Sequence, residues 1–294
     1  MGRAAAFVTS GIRTSAKSRS GHGLTTCVRR GMTTFLMCPP DYYGIEYEIN
    51  PWMSRRRPAD TSRAMRQWEA LYDLLTGTIG VTVELLTPVK GLPDLIFTAN
   101  AGLVGGRDVI RSNFRYPERQ KETPVFELWF REREYRIFTL PPAASFEGEG
   151  DALPVGTTLF AGYRMRSDIQ SHLKIGEILG CEVLSLELVD PRFYHLDTCF
   201  CPLDERTALY FPPAFDEYGR KVITESVPEA VPVSPEDALR FGCNAVVVGR
   251  EVVLQAGCEA LNRELQSRSF RVHALDLSEF HKAGGSAKCL VLRL

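Results

Sequence analysis

Four short segments of this chain hold residue types that chemistry needs, set among small or apolar neighbours. The first is Gly284-Gly285-Ser286-Ala287-Lys288-Cys289. Two glycines let a backbone come close to a ligand, and the cysteine that follows, expected to open an apolar strand from Leu290 to Leu292, is a candidate nucleophile, reactive as thiolate. The second is Phe193-Tyr194-His195-Leu196-Asp197-Thr198. In an extended segment His195 and Asp197 share a face, and a histidine beside an acid suits proton transfer. The third is Phe146-Glu147-Gly148-Glu149-Gly150-Asp151, three carboxylates on a glycine-rich backbone that could crowd a cationic ligand. The fourth, Leu92 to Asn100, places Asp94 and Asn100 as polar points in an otherwise apolar run. Each also has a plain structural reading: a buried cysteine, a satisfied histidine, a solvated acidic turn, the polar start of a strand.

The elements around these segments alternate. Thr33 to Cys38 reads as a strand ended by Pro39-Pro40. Asp60 or Ser62 can cap a helix whose apolar face is Met65, Trp68, Leu71, Tyr72 and Leu75, positions three and four apart as one helical face requires, and the Gly77 to Gly80 stretch ends it. Val81 to Leu86 is β-branched and strand-like. A hairpin is expected from Asp94 to Val104 and Val109 to Phe114 around Gly105 to Asp108, then a helix from Pro124 to Glu134 and a strand from Tyr135 to Leu140. The same order returns. Asp151 to Val155 and Thr158 to Tyr163 pair around Gly156, followed by a helix over Ser167 to Leu179 and a strand over Cys181 to Leu188. Further hairpins are expected at 199–203 with 208–211 and at 245–249 with 252–255. A helix over Glu259 to Ser267 and a strand over Arg271 to Leu275 come last. A hairpin, helix, strand unit thus recurs at roughly 50-residue intervals. The recurrence is one of elements and not of letters, and it fits a closed ring of β/α units whose loops meet at the centre.

The bulk properties bound the partners. Of 294 residues, 35 are Lys or Arg and 36 Asp or Glu, for a formal net charge of -1. Such a balance attracts neither nucleic acid nor acidic membranes, and no apolar stretch approaches the length of a membrane span. A small molecule is the expected partner, with a homo-oligomer left open. The eight cysteines have irregular spacing with no C-x-x-C, which suits neither a zinc site nor a disulfide framework. Residues 1–31 are rich in Arg, Ser, Thr and Gly and free of acids. They read as an organellar transit segment, as a disordered tail, or as the product of an upstream start with the working protein beginning near Met32. The expected location is the cytoplasm, or the mitochondrion if residues 1–31 are a transit peptide.

In combination and in order, Met37-Cys38-Pro39-Pro40, Ile49-Asn50-Pro51-Trp52-Met53, Leu92 to Asn100, Phe146 to Asp151, His195 to Thr198 and Gly284 to Cys289 resemble the guanidino-group modifying superfamily, the penteins. These include arginine deiminases, dimethylarginine dimethylaminohydrolases and amidinotransferases, and the resemblance is nearest to the arginine dihydrolase branch. It implies one α/β domain over 32–294, a five-bladed β/α propeller of pseudo-symmetric ββαβ units. It also implies site roles. Cys289 stands as nucleophile, His195 as acid–base partner, and Glu147 as the carboxylate that holds substrate nitrogens and orients the histidine. Asp94, Asn100 and Asp197 stand as substrate-binding residues. Arg119 and Arg166 match arginines that hold a substrate carboxylate, with Arg115 and Arg164 as neighbours able to take their place.

The implied reaction is hydrolysis of the guanidinium of arginine through a covalent intermediate on the cysteine, ending at ornithine, carbon dioxide and two ammonia in a dihydrolase, and the resemblance implies that no metal and no organic cofactor is needed. Deiminases resemble this strand but carry an acid where Asn100 lies, and an amide there can also donate to a urea oxygen. The rival expectations are a dimethylarginine dimethylaminohydrolase or a deiminase, both of which yield citrulline, then an amidinotransferase, and, from another class, an inactive arginine-binding sensor.

Overall fold

The computed structural model describes residues 33–294, so the expectations for residues 1–31 lie outside the described residues. Fifteen strands lie among the described residues: β1 (Thr34–Met37), β2 (Thr82–Leu85), β3 (Gly102–Gly105), β4 (Asp108–Arg111), β5 (Arg136–Phe138), β6 (Ala152–Val155), β7 (Thr158–Tyr163), β8 (Glu182–Glu187), β9 (Phe200–Pro202), β10 (Thr207–Tyr210), β11 (Glu229–Pro232), β12 (Val246–Val248), β13 (Glu251–Gln255), β14 (Arg271–Leu275) and β15 (Leu292–Arg293). Between them lie the helices α1 (Thr61–Asp73), α2 (Pro117–Gln120), α3 (Thr123–Glu132), α4 (Ile169–Leu179), α5 (Glu217–Ser226), α6 (Pro235–Leu239), α7 (Glu259–Ser267) and α8 (Ser278–His281).

The strands form five three-stranded sheets with one topology. In β3-β4-β5, β6-β7-β8, β9-β10-β11 and β12-β13-β14 the first two strands pair antiparallel and the last two parallel, and a helix crosses between the parallel pair. The fifth sheet repeats the pattern with strands from both ends of the chain. β15 pairs antiparallel with β1, and β1 pairs parallel with β2 across α1. Single bridges link neighbouring sheets at Asn113 with Phe146 and at Leu188 with Phe215.

The longer helices α1, α3, α4, α5 and α7 each bury one face against strands. In α1 the Asp60 side chain accepts from the Arg63 N–H, a cap worth about 1 kcal/mol, and Ala64, Trp68 and Leu71 are buried. Trp68, Leu71 and Leu75 join Phe35, Leu36 and Met37 of β1 in one core cluster, each large side chain contributing roughly 1.5–3 kcal/mol. A π-helical stretch, Leu74–Ile79, carries the helix on through Gly77, so the helix stops only at Gly80.

Three sequence expectations are corrected. The run from Asp94 is not a strand: it forms two short 3-10 turns, Pro93–Ile96 and Thr98–Ala101, before β3. His195 and Asp197 are not on an extended face, because Leu196–Thr198 is a 3-10 turn. Cys289 does not open a strand but sits in the 3-10 turn Lys288–Leu290. In each case a buried polar side chain replaces the alternating pattern a strand needs. The helix α5 and strand β11, absent from the sequence reading, complete the fourth unit.

Candidate active site

The turns that interrupt the predicted strands deliver the polar residues. Thr98–Ala101 leads into β3 and carries Asn100; Gly148–Gly150 leads into β6 and follows Glu147; Leu196–Thr198 leads into β9, follows His195 and carries Asp197; Lys288–Leu290 leads into β15 and carries Cys289. The segment ahead of β12 supplies Asn244. All five units therefore contribute from the equivalent place, the entry to the first strand. The turns are tied to one another. Thr98 Oγ1 lies 2.8 Å from the carbonyl of Leu36 and 3.0 Å from that of Leu290, so a single hydroxyl fastens the cysteine's turn to β1.

A cavity with about 260 Å³ of empty space is lined by Asn50, Met53, Asp94, Phe97, Asn100, Arg119, Arg166, Tyr194, His195, Ala283 and Cys289. A larger surface groove, about 1220 Å³, runs along β11 and α7. It holds none of these residues, and an open groove lacks the desolvation that makes charges act strongly. The small cavity is where the buried titratable groups converge.

Glu147 is the hub of one wall. Its Oε2 accepts from His195 Nε2 at 2.7 Å and from Arg166 Nη1 at 3.0 Å, and its Oε1 accepts from the Arg115 backbone N–H at 3.2 Å. Burial alone would raise this carboxyl, but the Arg166 guanidinium and the His195 bond outweigh it and hold it well below the usual range. An ionised Glu147 only accepts, so His195 Nε2 carries the proton. Arg166 also donates to the Ile49 carbonyl at 3.0 Å and lies between the Tyr116 and Tyr194 rings. Arg119 forms a two-pronged pair with Glu122, at 2.9 and 2.7 Å, and donates to Asn100 Oδ1 at 2.8 Å. Burial pushes Glu122 up to about 7 against the pull of Arg119. Asn100 in turn donates through Nδ2 to the Glu147 carbonyl at 3.0 Å. This close packing needs Gly150, where an added Cβ would lie 2.2 Å from Asn100 Nδ2.

The other wall holds the thiol. Cys289 Sγ donates to Asp197 Oδ2 at 3.4 Å and accepts from Asn244 Nδ2 at 3.1 Å. Burial first, and then the Asp197 charge, push the thiol well above its ordinary value, while the Ser286 backbone and Asn244 pull it down. Burial pushes Asp197 up to about 7, against the pull of Lys288. Burial likewise raises Asp94, with Arg119 opposing. Asp94 Oδ1 and Asp197 Oδ1 are buried and have no hydrogen-bond partner among the described residues. Buried acceptors left so are costly, and a cationic ligand rich in N–H groups would satisfy both.

Of the sequence-derived candidates, Cys289, His195, Asp94, Asn100, Arg119 and Arg166 line the cavity, and Glu147 and Asp197 bond directly to lining residues. Arg115 and Arg164 face outward, with side chains 43% and 54% exposed, and pair with Asp168 and Glu187. The other two carboxylates of the acidic loop do not crowd the cavity. Glu149 pairs with Lys288 at 2.8 Å, and Asp151 accepts from the Ser167 hydroxyl and the Leu196 N–H. Asn244 was not singled out from the sequence. The recurring unit could have found it, since it occupies in the fifth unit the place that Asn100 holds in the second. Among the described residues no cluster of His, Cys, Asp and Glu could hold a metal ion, and no helix is long and apolar enough to cross a membrane.

Five three-stranded sheets of one topology, with a cysteine, a histidine–glutamate pair and open carboxylates gathered at one small cavity, are the arrangement of the pentein type. A family profile described as N,N dimethylarginine dimethylhydrolase, eukaryotic, matches residues 48–294, and the chain belongs to this dimethylarginine dimethylaminohydrolase family. It is 38% identical over 98% of its length to the N(G),N(G)-dimethylarginine dimethylaminohydrolase of Mycobacterium tuberculosis, covering 93% of that protein. It is 48% identical over 88% of its length to AgrE of Nostoc sp., a bifunctional arginine dihydrolase/ornithine cyclodeaminase, and spans 37% of that longer protein. The N-terminal domain of ArgZ, an arginine dihydrolase from the ornithine-ammonia cycle in cyanobacteria, superposes in its substrate-bound form with a TM-score of 0.85 at 45% identity, over 89% of this chain and 97% of that domain.

Proposed function

We propose that this chain hydrolyses the guanidinium group of arginine through a covalent bond to Cys289, and that it acts as an arginine dihydrolase. The observation that carries the reading is the convergence, in one buried cavity, of Cys289, the Glu147–His195 pair and the unpartnered oxygens of Asp94 and Asp197. In this reading the five sheets are the blades of a propeller and the cavity lies at its axis.

Asp94 and Asp197 hold the guanidinium N–H groups, so the cation meets the thiol already oriented. Arg166 has three N–H groups without a partner among the described residues, by count of its five donors, and takes the substrate carboxylate, with Arg119 beside it. Cys289 attacks the guanidinium carbon as thiolate. Charged His195 protonates the departing nitrogen, which leaves as ammonia, and the amidino carbon remains bonded to sulfur. Neutral His195 then takes a proton from water, the hydroxide adds to that carbon, and the thiolate is released, leaving citrulline. A second round on the ureido group expels a second ammonia. The carbamate that remains yields ornithine and carbon dioxide, two waters being consumed overall.

Asn100 separates the one-step from the two-step outcome. Its oxygen is held by Arg119, and one Nδ2 hydrogen by the Glu147 carbonyl. The second Nδ2 hydrogen is left to donate to a urea oxygen, which an aspartate could not do. The alternative is a dimethylarginine dimethylaminohydrolase, favoured by the family profile and by the relative covered at 93% of its length.

Product analysis tests both. The full chain is incubated with arginine, and ammonia, citrulline and ornithine are followed. Two ammonia per ornithine is the expected result, and Asn100→Asp should then release citrulline. One ammonia per citrulline in the wild type would overturn the dihydrolase reading. Turnover of dimethylarginine alone, with release of dimethylamine, would establish the alternative.

A further inference from the structure

Asn244 is fully buried, and all four of its hydrogen-bonding positions are occupied. Nδ2 donates to the Asp197 carbonyl at 3.0 Å and to Cys289 Sγ at 3.1 Å. Oδ1 accepts from the backbone N–H groups of Ser286 at 3.0 Å and Cys289 at 3.2 Å. The orientation of the amide is therefore forced. Turned over, it would set its oxygen against a carbonyl and the sulfur, and its NH₂ against two N–H groups.

We propose that Asn244 is a catalytic residue that stabilises the thiolate of Cys289 by donating to its sulfur, while its oxygen fixes the glycine-rich loop that carries the nucleophile. The case rests on geometry. The sulfur lies in a buried wall where its other close charged neighbour is the Asp197 carboxylate, which favours the thiol. Tyr194 adds no cation, and Lys288, the residue before Cys289 in the chain, is committed to Glu149. An unassisted thiolate in such a place would be strongly disfavoured. Asn244 and the Ser286 backbone are the groups that oppose this trend. The same amide also bonds the peptide carbonyl of Asp197, so the nucleophile and the acid that receives the guanidinium are set at a fixed spacing by one side chain. This role rests on Cys289 being the nucleophile of the proposed function, but its test does not need arginine turnover.

The experiment is the pH dependence of Cys289 alkylation by iodoacetamide in the full chain, with Cys289→Ser as the blank for the other thiols. Asn244→Ala removes the donor. The alkylation midpoint should rise by about one to two pH units, which is what a hydrogen bond to a charged group is worth. Where arginine is turned over, kcat should fall roughly ten- to a hundredfold. Arginine binding, compared in Cys289→Ser and Cys289→Ser/Asn244→Ala, should stay within a few-fold. An unmoved midpoint in Asn244→Ala overturns the proposal, and so does weakened arginine binding with an unmoved midpoint, which is the mark of a purely structural loop clamp. If Asn244→Ala does not fold, Asn244→Ser decides. It is neutral, so it sets no charge beside the sulfur, and it loses the amide donor, so an unchanged midpoint there overturns the proposal and a raised one supports it. A raised midpoint in a chain that leaves arginine unchanged would uphold the role of Asn244 while removing the proposed substrate.

Discussion

The arginine wall and the thiol wall of the cavity are equally buried but spend their hydrogen bonds differently. On the first, Arg119, Glu122, Asn100, Glu147, Arg166 and His195 form a continuous chain in which each charge meets an opposite charge or a dipole. On the second, Asp197 retains an unpartnered oxygen, and its other oxygen meets only a weak thiol donor at 3.4 Å. On the first, the Glu147 and Glu122 anions are satisfied without a ligand, and the spare groups are donors, on Arg166 and Asn100. On the second the spare groups are acceptors, and that shortfall is what a guanidinium would supply. Spare donors suit an anion and spare acceptors a cation, at the same depth in one protein.

The largest effect should come from the thiol wall. Cys289→Ser should lower turnover of arginine by about 10⁴-fold or more while arginine binding persists, as isothermal titration would show. If turnover survives, the nucleophile is elsewhere and the contrast loses its meaning. Next comes the hub of the arginine wall. Glu147→Gln leaves Arg166 buried without its anion and offers His195 at most a neutral oxygen; it should cost about 3–5 kcal/mol of stability and roughly 10²–10⁴-fold in rate, read by denaturant unfolding and by kinetics. A variant as stable as the wild type would show that this wall does not depend on its charges.

A smaller effect distinguishes the walls by pH. Asp197, pushed up to about 7, is neutral below that pH and draws no cation. So kcat/KM for arginine should climb through pH 7, and Asp197→Asn should abolish that limb. The sign for stability is opposite. A carboxyl raised from its ordinary value near 4 stabilises the fold while protonated, and that contribution is lost as pH rises through the folded value. With Glu122 near 7 and Asp151 near 6 acting alike, the unliganded protein should melt at a lower temperature at pH 8 than at pH 5.5, and arginine should restore more of that loss at pH 8. A melting temperature that rises over this range would contradict the burial assigned to these groups. The smallest effect belongs outside both walls. Arg192→Ala removes an exposed pair with Asp190 and should change stability by less than about 1 kcal/mol.

The repeating scaffold was largely legible in the sequence because hairpins, helices and β-branched strands follow local rules. The helix at Glu259–Ser267 and the hairpin of β6 and β7 fall where periodicity and turn residues put them. The turns that carry the candidate site residues were located but given the wrong conformation. Alternation around Asp94 to Asn100 and His195 to Asp197 imitates a strand, and only tertiary partners, such as Asn100 for Gly150 and Asp151 for the Leu196 N–H, bend those segments into 3-10 turns. Asn244 lies in a stretch without a distinctive spacing, and its importance comes entirely from contacts more than 40 residues away. The unit containing α5 and β11 was missed because its helix is polar over most of its surface, with Gly219 and Ile223 buried.

The pairing of β15 with β1 has a kinetic consequence. Leu294 donates to the Thr34 carbonyl, so the sheet that anchors the cysteine's turn joins the first described strand to the last described one. The other four sheets can form from neighbouring segments, while the fifth waits for two distant segments to meet. That contact has very high sequence separation, the slowest kind to form. Under the proposed function, catalytic competence would arrive in one late step, when this sheet closes.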